Sequence, residues 1–232
     1  MSKFLSASIG RKILMSVTGL FLVIFVAVHL CLNILLIFDN SGDLFNMAAH
    51  FMATNPLIKV MEPVLALGFF VHIIWSFIVT LQNMKARPIS YNVGNKSKTT
   101  SWASKNMLIL GSLVLVFLVI HLMNFFLKIK FNSASLGEVE VMQAGSLVKM
   151  ENAYALVSTL FINSSLYCII YIVGAVLLGL HLTHGFWSAF QTIGLNNKIW
   201  KSRLGIIAIA YAIIIAVGYS VIPLYFMLGF SK

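Results

Sequence analysis

Five long apolar runs dominate the sequence and restrict what the chain can fold into. They lie at about residues 13–38, 57–83, 107–127, 156–190 and 204–228. A helix needs about 20 apolar residues to cross the hydrocarbon core of a bilayer, and each run reaches that length. Because backbone groups inside a bilayer cannot hydrogen-bond to water, each run is expected to be helical. The sequence therefore predicts an all-α membrane protein: residues 1–232 form a single membrane domain with five transmembrane helices.

The composition excludes an ordinary soluble domain. The chain is 60% hydrophobic and only 9% charged, whereas soluble domains are about 25% charged. The first apolar run, Ile13–Phe38, has 26 residues without a charge. The apolar part of a signal peptide is only about 7–15 residues long, so we expect a retained first helix. The formal net charge of +10 on so apolar a chain indicates membrane topology, and we expect no nucleic-acid partner.

The charged residues fall into two groups that predict the orientation of the helices. Eleven basic residues lie on the N-terminal tail and on the second and fourth loops: Lys3, Arg11, Lys12, Lys85, Arg87, Lys96, Lys98, Lys105, Lys198, Lys201 and Arg203. All six acidic residues lie at the opposite ends of the runs: Asp39, Asp43, Glu62, Glu138, Glu140 and Glu151. By the positive-inside rule the first side is cytoplasmic. We therefore expect a cytoplasmic N-terminus and a C-terminus outside.

Three local patterns refine this outline. Residues 45–52 follow the first run and are apolar enough for a short helix at the outer membrane surface. Asn55 and Pro56 then provide a capping residue and a first-turn proline for the second helix. The fourth run is longer than a bilayer requires, so its outer end is expected to project or to bend near residues 163–165.

Four of the runs each carry a histidine that lies deep in the predicted membrane. These residues are His29, His72, His121 and His181. An ionisable side chain at membrane depth is costly and by default marks a functional site with a partner. Two pairs of histidines from different helices are what bis-histidine ligation of two haem irons requires.

The depth of each histidine predicts how the four residues pair. His72 and His181 each lie ten residues from a glutamine at the inner end of their run, which is about 15 Å along a helix. His29 and His121 lie seventeen and sixteen residues beyond the lysines at the inner ends of theirs, or about 24–25 Å. We therefore expect an inner pair, His72 with His181, and an outer pair, His29 with His121, and assign all four as metal ligands.

A further histidine, His184, competes with His181 for the inner position. A flat macrocycle needs small side chains beside its ligand, and glycine or serine lies beside two of the histidines. These small residues are Gly68 near His72, and Gly174, Gly185 and Ser188 near His181. The corresponding face of His184 is bulkier, which favours His181 as the ligand and leaves His184 for a hydrogen bond to a haem propionate.

Two other interpretations of the histidines remain open at this point. Histidines within a helical bundle can be polar packing residues that hydrogen-bond between helices of a purely structural anchor. They can also belong to a proton-relay transporter that contains no haem. Such transporters generally combine histidine with carboxylates, and no Asp or Glu lies at the middle of any apolar run.

Several residues along the chain together match the pattern of a known family. In chain order they are His29 followed by Asn33, the stretch 45–52, His72, His121, and the motif His181-x-x-x-Gly185-Phe186-Trp187-Ser188. Over most of its length the chain resembles the cytochrome b membrane-anchor subunit of succinate:quinone oxidoreductases, which act as succinate dehydrogenase or fumarate reductase. The resemblance is to the type with five helices and two haems in a single anchor subunit.

This resemblance implies a function in a respiratory complex of the bacterial inner (cytoplasmic) membrane. The chain would hold two b-type haems and bind an iron–sulfur subunit and a flavoprotein subunit on the cytoplasmic side. Electrons would pass from succinate through these subunits to the haems and then to a quinone, so the chain would not be an enzyme alone. The basic inner loop at residues 85–105 would face either the iron–sulfur subunit or lipid headgroups.

The resemblance also proposes roles for residues at the two ends of the bundle. It implies that a quinone, most plausibly menaquinone, binds near the outer haem, where His50 or Glu62 could exchange protons with its oxygens. At the inner end, Arg11 and Lys12 are candidates for binding haem propionates, as are Lys105 and Arg203. An alternative is the dihaem anchor of another membrane oxidoreductase, such as a nitrate reductase, formate dehydrogenase or hydrogenase, which would bind a different electron donor.

Overall fold

The computed structural model describes residues 8–85, 102–132, 136–195 and 197–230. These residues are mostly helical and include five helical segments that are long and apolar enough to cross a membrane. We number them spans 1 to 5: Gly10–Phe38, Pro56–Lys85, Met107–Phe131, Ser165–Thr192 and Lys198–Met227. The predicted number of spans is confirmed, and the chain is a multi-pass helical membrane protein. The basic residues Lys3, Arg87, Lys96 and Lys98 lie outside the described residues.

Span 1 ends in a short interruption that leads to a surface helix. Its main helix is Ser8–Asn33, and a short helix, Leu35–Phe38, follows. The carboxylate of Asp39 then accepts hydrogen bonds from the backbone N–H of Leu44 at 3.1 Å and from the Ser41 hydroxyl at 2.8 Å. Because these bonds stabilise the ionised carboxylate, they lower the pKa of Asp39 below its ordinary value.

The outer loop contains the helix that the sequence predicts at the membrane surface. It extends over Asp43–Thr54, so the helix expected at residues 45–52 is confirmed, while its position at the membrane surface stays a prediction. Asn55 then caps span 2, because its side-chain oxygen accepts hydrogen bonds from the backbone N–H groups of Leu57 at 2.9 Å and Ile58 at 3.4 Å. The predicted capping pair of Asn55 and Pro56 is therefore confirmed.

Span 3 changes its helical geometry immediately after a histidine. A short helix, Trp102–Lys105, precedes the α-helix Met107–His121. The next turn, Leu122–Phe126, is a π-helix, and α-helical geometry resumes at Leu127–Phe131. A π-turn widens the helix locally and is frequent at functional sites.

An antiparallel hairpin in the third loop corrects the prediction of an all-α fold. Strand β1, Glu138–Gln143, pairs with strand β2, Ser146–Glu151. Ala144 and Gly145 join the strands with positive φ angles of 50° and 86°, the backbone conformation that a tight two-residue hairpin turn requires. The loop forms strands because apolar residues alternate with polar ones, and this alternation buries Val141 and Met150.

Span 4 is separated from its outer extension at the predicted place. A helix covers Ala153–Asn163, Ser164 is extended, and the span itself begins at Ser165. The hydroxyl of Ser164 accepts a weak hydrogen bond from the backbone N–H of Tyr167 at 3.4 Å and so caps the new helix. The expected bend near residues 163–165 is therefore confirmed.

The core of the bundle lies between spans 4 and 5, which share the most extensive contact between any two helices in the described chain. Cys168 of span 4 and Ala208 and Ile215 of span 5 are almost completely buried there. Spans 1 and 3 both pack against span 4, whereas span 2 packs mainly against span 1. Every residue of span 2, all of them described, is at least partly exposed. The space between spans 1 to 4 is where the four histidines meet.

Candidate functional site

The structure brings the four histidines of spans 1 to 4 together as two pairs. The ring centres of His72 and His181 are 6.5 Å apart, and the planes of the two rings are inclined at 72°. The ring centres of His29 and His121 are 5.8 Å apart, with an angle of 88°. Each pair joins two helices that run in the same direction, spans 2 and 4 or spans 1 and 3, at one depth. The sequence predicts this pairing by depth; the role of the four residues as ligands stays a prediction.

Both separations suit imidazoles that share a metal ion. Nitrogen–metal bonds of about 2.0–2.1 Å on opposite sides of an ion place the ring centres roughly 6.4 Å apart. The inner pair lies at that distance, and the outer pair is only slightly closer. Such ligation leaves each ring free to rotate about its bond to the metal, so the steep angles between the ring planes are compatible with it.

The environment of His72 favours coordination through one particular nitrogen. The hydroxyl of Thr18 donates to the carbonyl of Leu14 at 2.9 Å and lies 3.4 Å from Nδ1 of His72. Because the hydroxyl hydrogen is already used, we assign Nδ1–H of His72 as the donor to Thr18. The lone pair of Nε2 then remains available for a metal. Metal-binding histidines commonly have their second nitrogen oriented in this way.

Two glycines on neighbouring helices face the rings of the inner pair. A Cβ atom added at Gly19 would lie 3.6 Å from Cε1 of His72, and one added at Gly111 would lie 3.6 Å from Cε1 of His181. The Nδ1 side of each imidazole therefore packs against a glycine of the adjacent helix, which is span 1 for His72 and span 3 for His181. The sequence analysis missed both glycines, since only the packing of one helix on the next identifies them.

The glycines that the sequence did single out have other neighbours. A Cβ at Gly174 would lie 2.3 Å from the Phe117 ring, and a Cβ at Gly68 would lie 2.8 Å from the Phe21 ring. These two residues admit aromatic side chains of the next helix, so the argument that they leave space beside the histidines for a macrocycle is not supported. Gly185 has only an ordinary contact, with a Met107 methyl group.

Three buried polar atoms near the inner pair have no hydrogen-bond partner among the described residues. They are Nδ1 of His181, Nδ1 of His184 and Nε1 of Trp75. His184 and Trp75 each lie three residues beyond a member of the inner pair, so all three atoms belong to one level of spans 2 and 4. Buried polar groups without partners are rare in native proteins, which makes this level a candidate site for a polar or metal-containing group.

The outer pair is surrounded by aromatic rings. Five rings have centres 5.3–6.1 Å from His29 or His121: Phe25, Phe117, Phe125, Tyr171 and Tyr219. The Tyr219 hydroxyl donates to the carbonyl of Val26 at 2.8 Å. The Tyr171 hydroxyl accepts from the amide of Asn124 in the π-turn at 3.2 Å. The outer pair therefore lies in an apolar environment whose few polar groups already have partners.

Each pair by itself has fewer ligands than a bare metal ion normally requires. Within the described ranges, no group of three or more His, Cys, Asp or Glu side chains could hold a metal. A protein-bound zinc or copper ion normally requires at least three such ligands. Two opposed imidazoles suffice only where another molecule fills the remaining positions, as the four nitrogens of a porphyrin do.

The predicted residues at the ends of the bundle lie apart from the histidine pairs. At the inner end, Arg11 donates a hydrogen bond to the side chain of Gln82 and so joins spans 1 and 2, while Lys12 is exposed. At the outer end, Glu62 forms a partly exposed ion pair with Lys130, with Nζ and Oε2 2.7 Å apart. His50 is partly exposed on the surface helix.

Comparisons with protein families, curated proteins and solved structures find no match to this chain. Fold and site together define a class: a multi-pass helical membrane protein with two interhelical pairs of histidines, one above the other. The relation to dihaem cytochrome b anchors therefore rests on the motifs of the sequence alone.

Proposed function

We propose that the chain is the membrane-anchoring dihaem cytochrome b subunit of a succinate dehydrogenase or fumarate reductase in the bacterial inner membrane. The single observation that carries the proposal is the pairing of His72 with His181 and of His29 with His121 at two depths of one bundle. Each pair would ligate the iron of one b-type haem through two imidazoles. Arg11 and Lys12, with His184, are the candidates for binding propionates at the inner haem.

The protein's contribution to electron transfer is to position and tune the two sites. Haem would supply one-electron redox chemistry, and its ligation by the two histidines of each pair would suit electron transfer and not oxygen binding. On span 3, Gly111 faces the inner pair and His121 belongs to the outer one. These residues are ten positions apart, so the two levels are about 15 Å apart along the helix.

The ends of the bundle would serve the electron donor and the acceptor. The basic inner end, which includes Lys85, would bind the iron–sulfur subunit, with the flavoprotein attached to it. A quinone, proposed to be menaquinone, would react near the outer pair. His50 is the better candidate for proton exchange with the quinone, because the carboxylate of Glu62 already has Lys130 as its partner.

A reduced-minus-oxidised absorption spectrum of the purified chain tests the haem assignment. We expect two low-spin b-type haems per chain, and a flat trace would refute the proposal. His72→Ala and His181→Ala should each remove the same haem, whereas His29→Ala and His121→Ala should each remove the other. Phe70→Ala, a change at a lipid-exposed position of span 2, should retain both. If His72→Ala and His121→Ala gave the same spectrum, the pairing would be wrong.

Identification of the partner subunits tests the remainder of the proposal. Purification of the chain from its native membrane under mild conditions should recover a flavoprotein and an iron–sulfur protein, and the complex should couple succinate and quinone. Recovery of a molybdenum- or nickel-containing partner would instead assign the chain to the anchors of nitrate reductase, formate dehydrogenase or hydrogenase.

A further inference from the structure

A groove with a volume of about 600 Å³ lies between the inner ends of spans 4 and 5. Its upper part, at the beginning of span 5, contains Lys198, Lys201 and Ser202. Trp187 of span 4 forms one wall. Its lower part contains Ile206 and Ile209, whose side chains are 67% and 54% exposed. Since such isoleucines in a membrane-spanning helix face lipid, the groove opens toward the bilayer. Its wall, Trp187, contacts the ring of His184, with the ring centres 5.4 Å apart.

The upper part of the groove is positively charged. The ammonium group of Lys201 lies 6.0 Å from the centre of the Trp187 ring, a cation–π contact that holds this side chain over the groove. The hydroxyl of Thr183 already donates to the carbonyl of Leu180 at 2.7 Å. The remainder of the described lining contains two lysines and the hydroxyl of Ser202, and no carboxylate. This combination of donors matches a phosphate group.

The lower part of the groove continues into the membrane as an apolar trough. Ile209 lies eight residues beyond Lys201 on the same helix, or about 12 Å deeper. Gly205 lies between them, and a Cβ atom added there would meet no other atom within 4 Å. The glycine therefore leaves an open channel along the helix, below the lysines and in line with the isoleucines.

We propose that this groove binds an anionic phospholipid, with the phosphate of its headgroup at Lys198, Lys201 and Ser202 and an acyl chain along Gly205, Ile206 and Ile209. Basic pockets between transmembrane helices at the cytoplasmic surface are typical sites for such lipids. A soluble anion would satisfy the lysines but leave the trough unused. The assignment does not depend on whether the chain binds haem.

Native mass spectrometry of the full chain in detergent micelles tests the site with phosphatidylglycerol and phosphatidylcholine of identical acyl chains. We expect the chain to retain phosphatidylglycerol preferentially. The double variant Lys198→Gln/Lys201→Gln should weaken phosphatidylglycerol binding roughly tenfold or more. The matched control Lys59→Gln/Lys128→Gln removes two lysines of spans 2 and 3 at the end of the bundle opposite to the groove. It should leave binding unchanged.

A second variant tests the apolar part of the groove without changing any charge. Gly205→Leu fills the trough, and it should preserve the fold because its side chain enters open space and leucine favours helix. We expect it to weaken lipid binding severalfold, while circular dichroism remains unchanged. Unchanged lipid binding in Gly205→Leu would show that the trough is not part of the lipid site.

Four other results would overturn the proposal. Equal retention of the two lipids would show contact with bulk lipid only, and equal losses in both lysine double variants would show a general charge effect. Displacement of phosphatidylglycerol by an equal concentration of inorganic phosphate would show an anion site that does not use the acyl chain. Loss of a co-purifying subunit in Lys198→Gln/Lys201→Gln, with lipid binding unchanged, would assign the groove to that subunit.

Discussion

At the scale of single residues, the depth of each histidine could be predicted but its neighbours could not. The rise of a helix is constant, so counting residues from the polar residues at the inner ends places His72 level with His181 and His29 level with His121. The residues that support the inner pair, Thr18 among them, lie on other helices. No pattern within one run predicts those contacts, because they depend on the rotation of one helix against the next.

Thr18 provides a test of how the protein tunes the inner site. Its hydroxyl accepts the Nδ1–H of His72, and a hydrogen bond of this kind makes the imidazole a stronger electron donor to a metal. Thr18→Val removes the hydroxyl while almost preserving the shape of the side chain. Because the weaker donor stabilises ferric iron less, we expect the midpoint potential of the inner haem to rise by roughly 20–60 mV.

Redox titration of the purified chain, followed through its haem absorption, measures this shift. The outer haem should be unaffected, because Thr18 does not contact its ligands. Thr192→Val is the matched control, since the hydroxyl of Thr192 donates to the carbonyl of Ser188 at the inner end of span 4. Equal shifts of both haems, or none in either, would contradict the role of Thr18 in orienting His72.

At the scale of elements, the predictable features are those with a polar signal inside an apolar run. Residues 163–165 are polar, and the fourth apolar run is divided there into two helices, as predicted. The π-turn Leu122–Phe126 has no comparable signal, because its residues are mostly apolar and fit the helical pattern of span 3. The hairpin at residues 138–151 was missed because its strands are only six residues long and lie in a loop rich in charge.

The π-turn positions Asn124 against Tyr171 beside the outer pair of histidines, and its deletion tests that function. A π-turn contains one residue more than an α-helical turn, so deletion of the exposed residue Met123 would restore α-helical geometry. The angle around the helix axis between the side chains of Asn124 and His121 would then change. The hydrogen bond from Asn124 to Tyr171 would be lost. We expect the deletion variant to lose the outer haem and to retain the inner one.

The absorption spectra of the deletion variant and of Met123→Leu provide the comparison. Met123→Leu keeps the length of span 3 and an apolar side chain of similar volume, so it should retain both haems. Retention of both haems after the deletion would show that the wide turn is not required for the outer site. Loss of both would indicate that the bundle as a whole is disrupted.

At the scale of the whole molecule, the sequence predicts the number of spans but not their packing. All five spans are apolar on every side, and in a lipid environment apolar surface does not by itself drive one helix against another. The structure shows a well-packed pair, spans 4 and 5, and a peripheral helix, span 2, that lacks buried residues throughout its described length. Small residues account for the close pair: Gly179 lies against Ala212 and Ala216 of span 5.

Because span 2 is weakly packed, the proposed haems would also hold part of the bundle together. His72 is the residue through which span 2 would share a metal with span 4, and a cofactor that binds only the folded protein stabilises it. In chains produced without haem, we expect hydrogen exchange in span 2 to be faster by roughly tenfold or more, while exchange in spans 4 and 5 stays slow. Mass-spectrometric comparison of the haem-loaded and haem-depleted chains in the same detergent measures this difference. Unchanged exchange in span 2 would mean that its contacts with span 1 alone are sufficient to hold it.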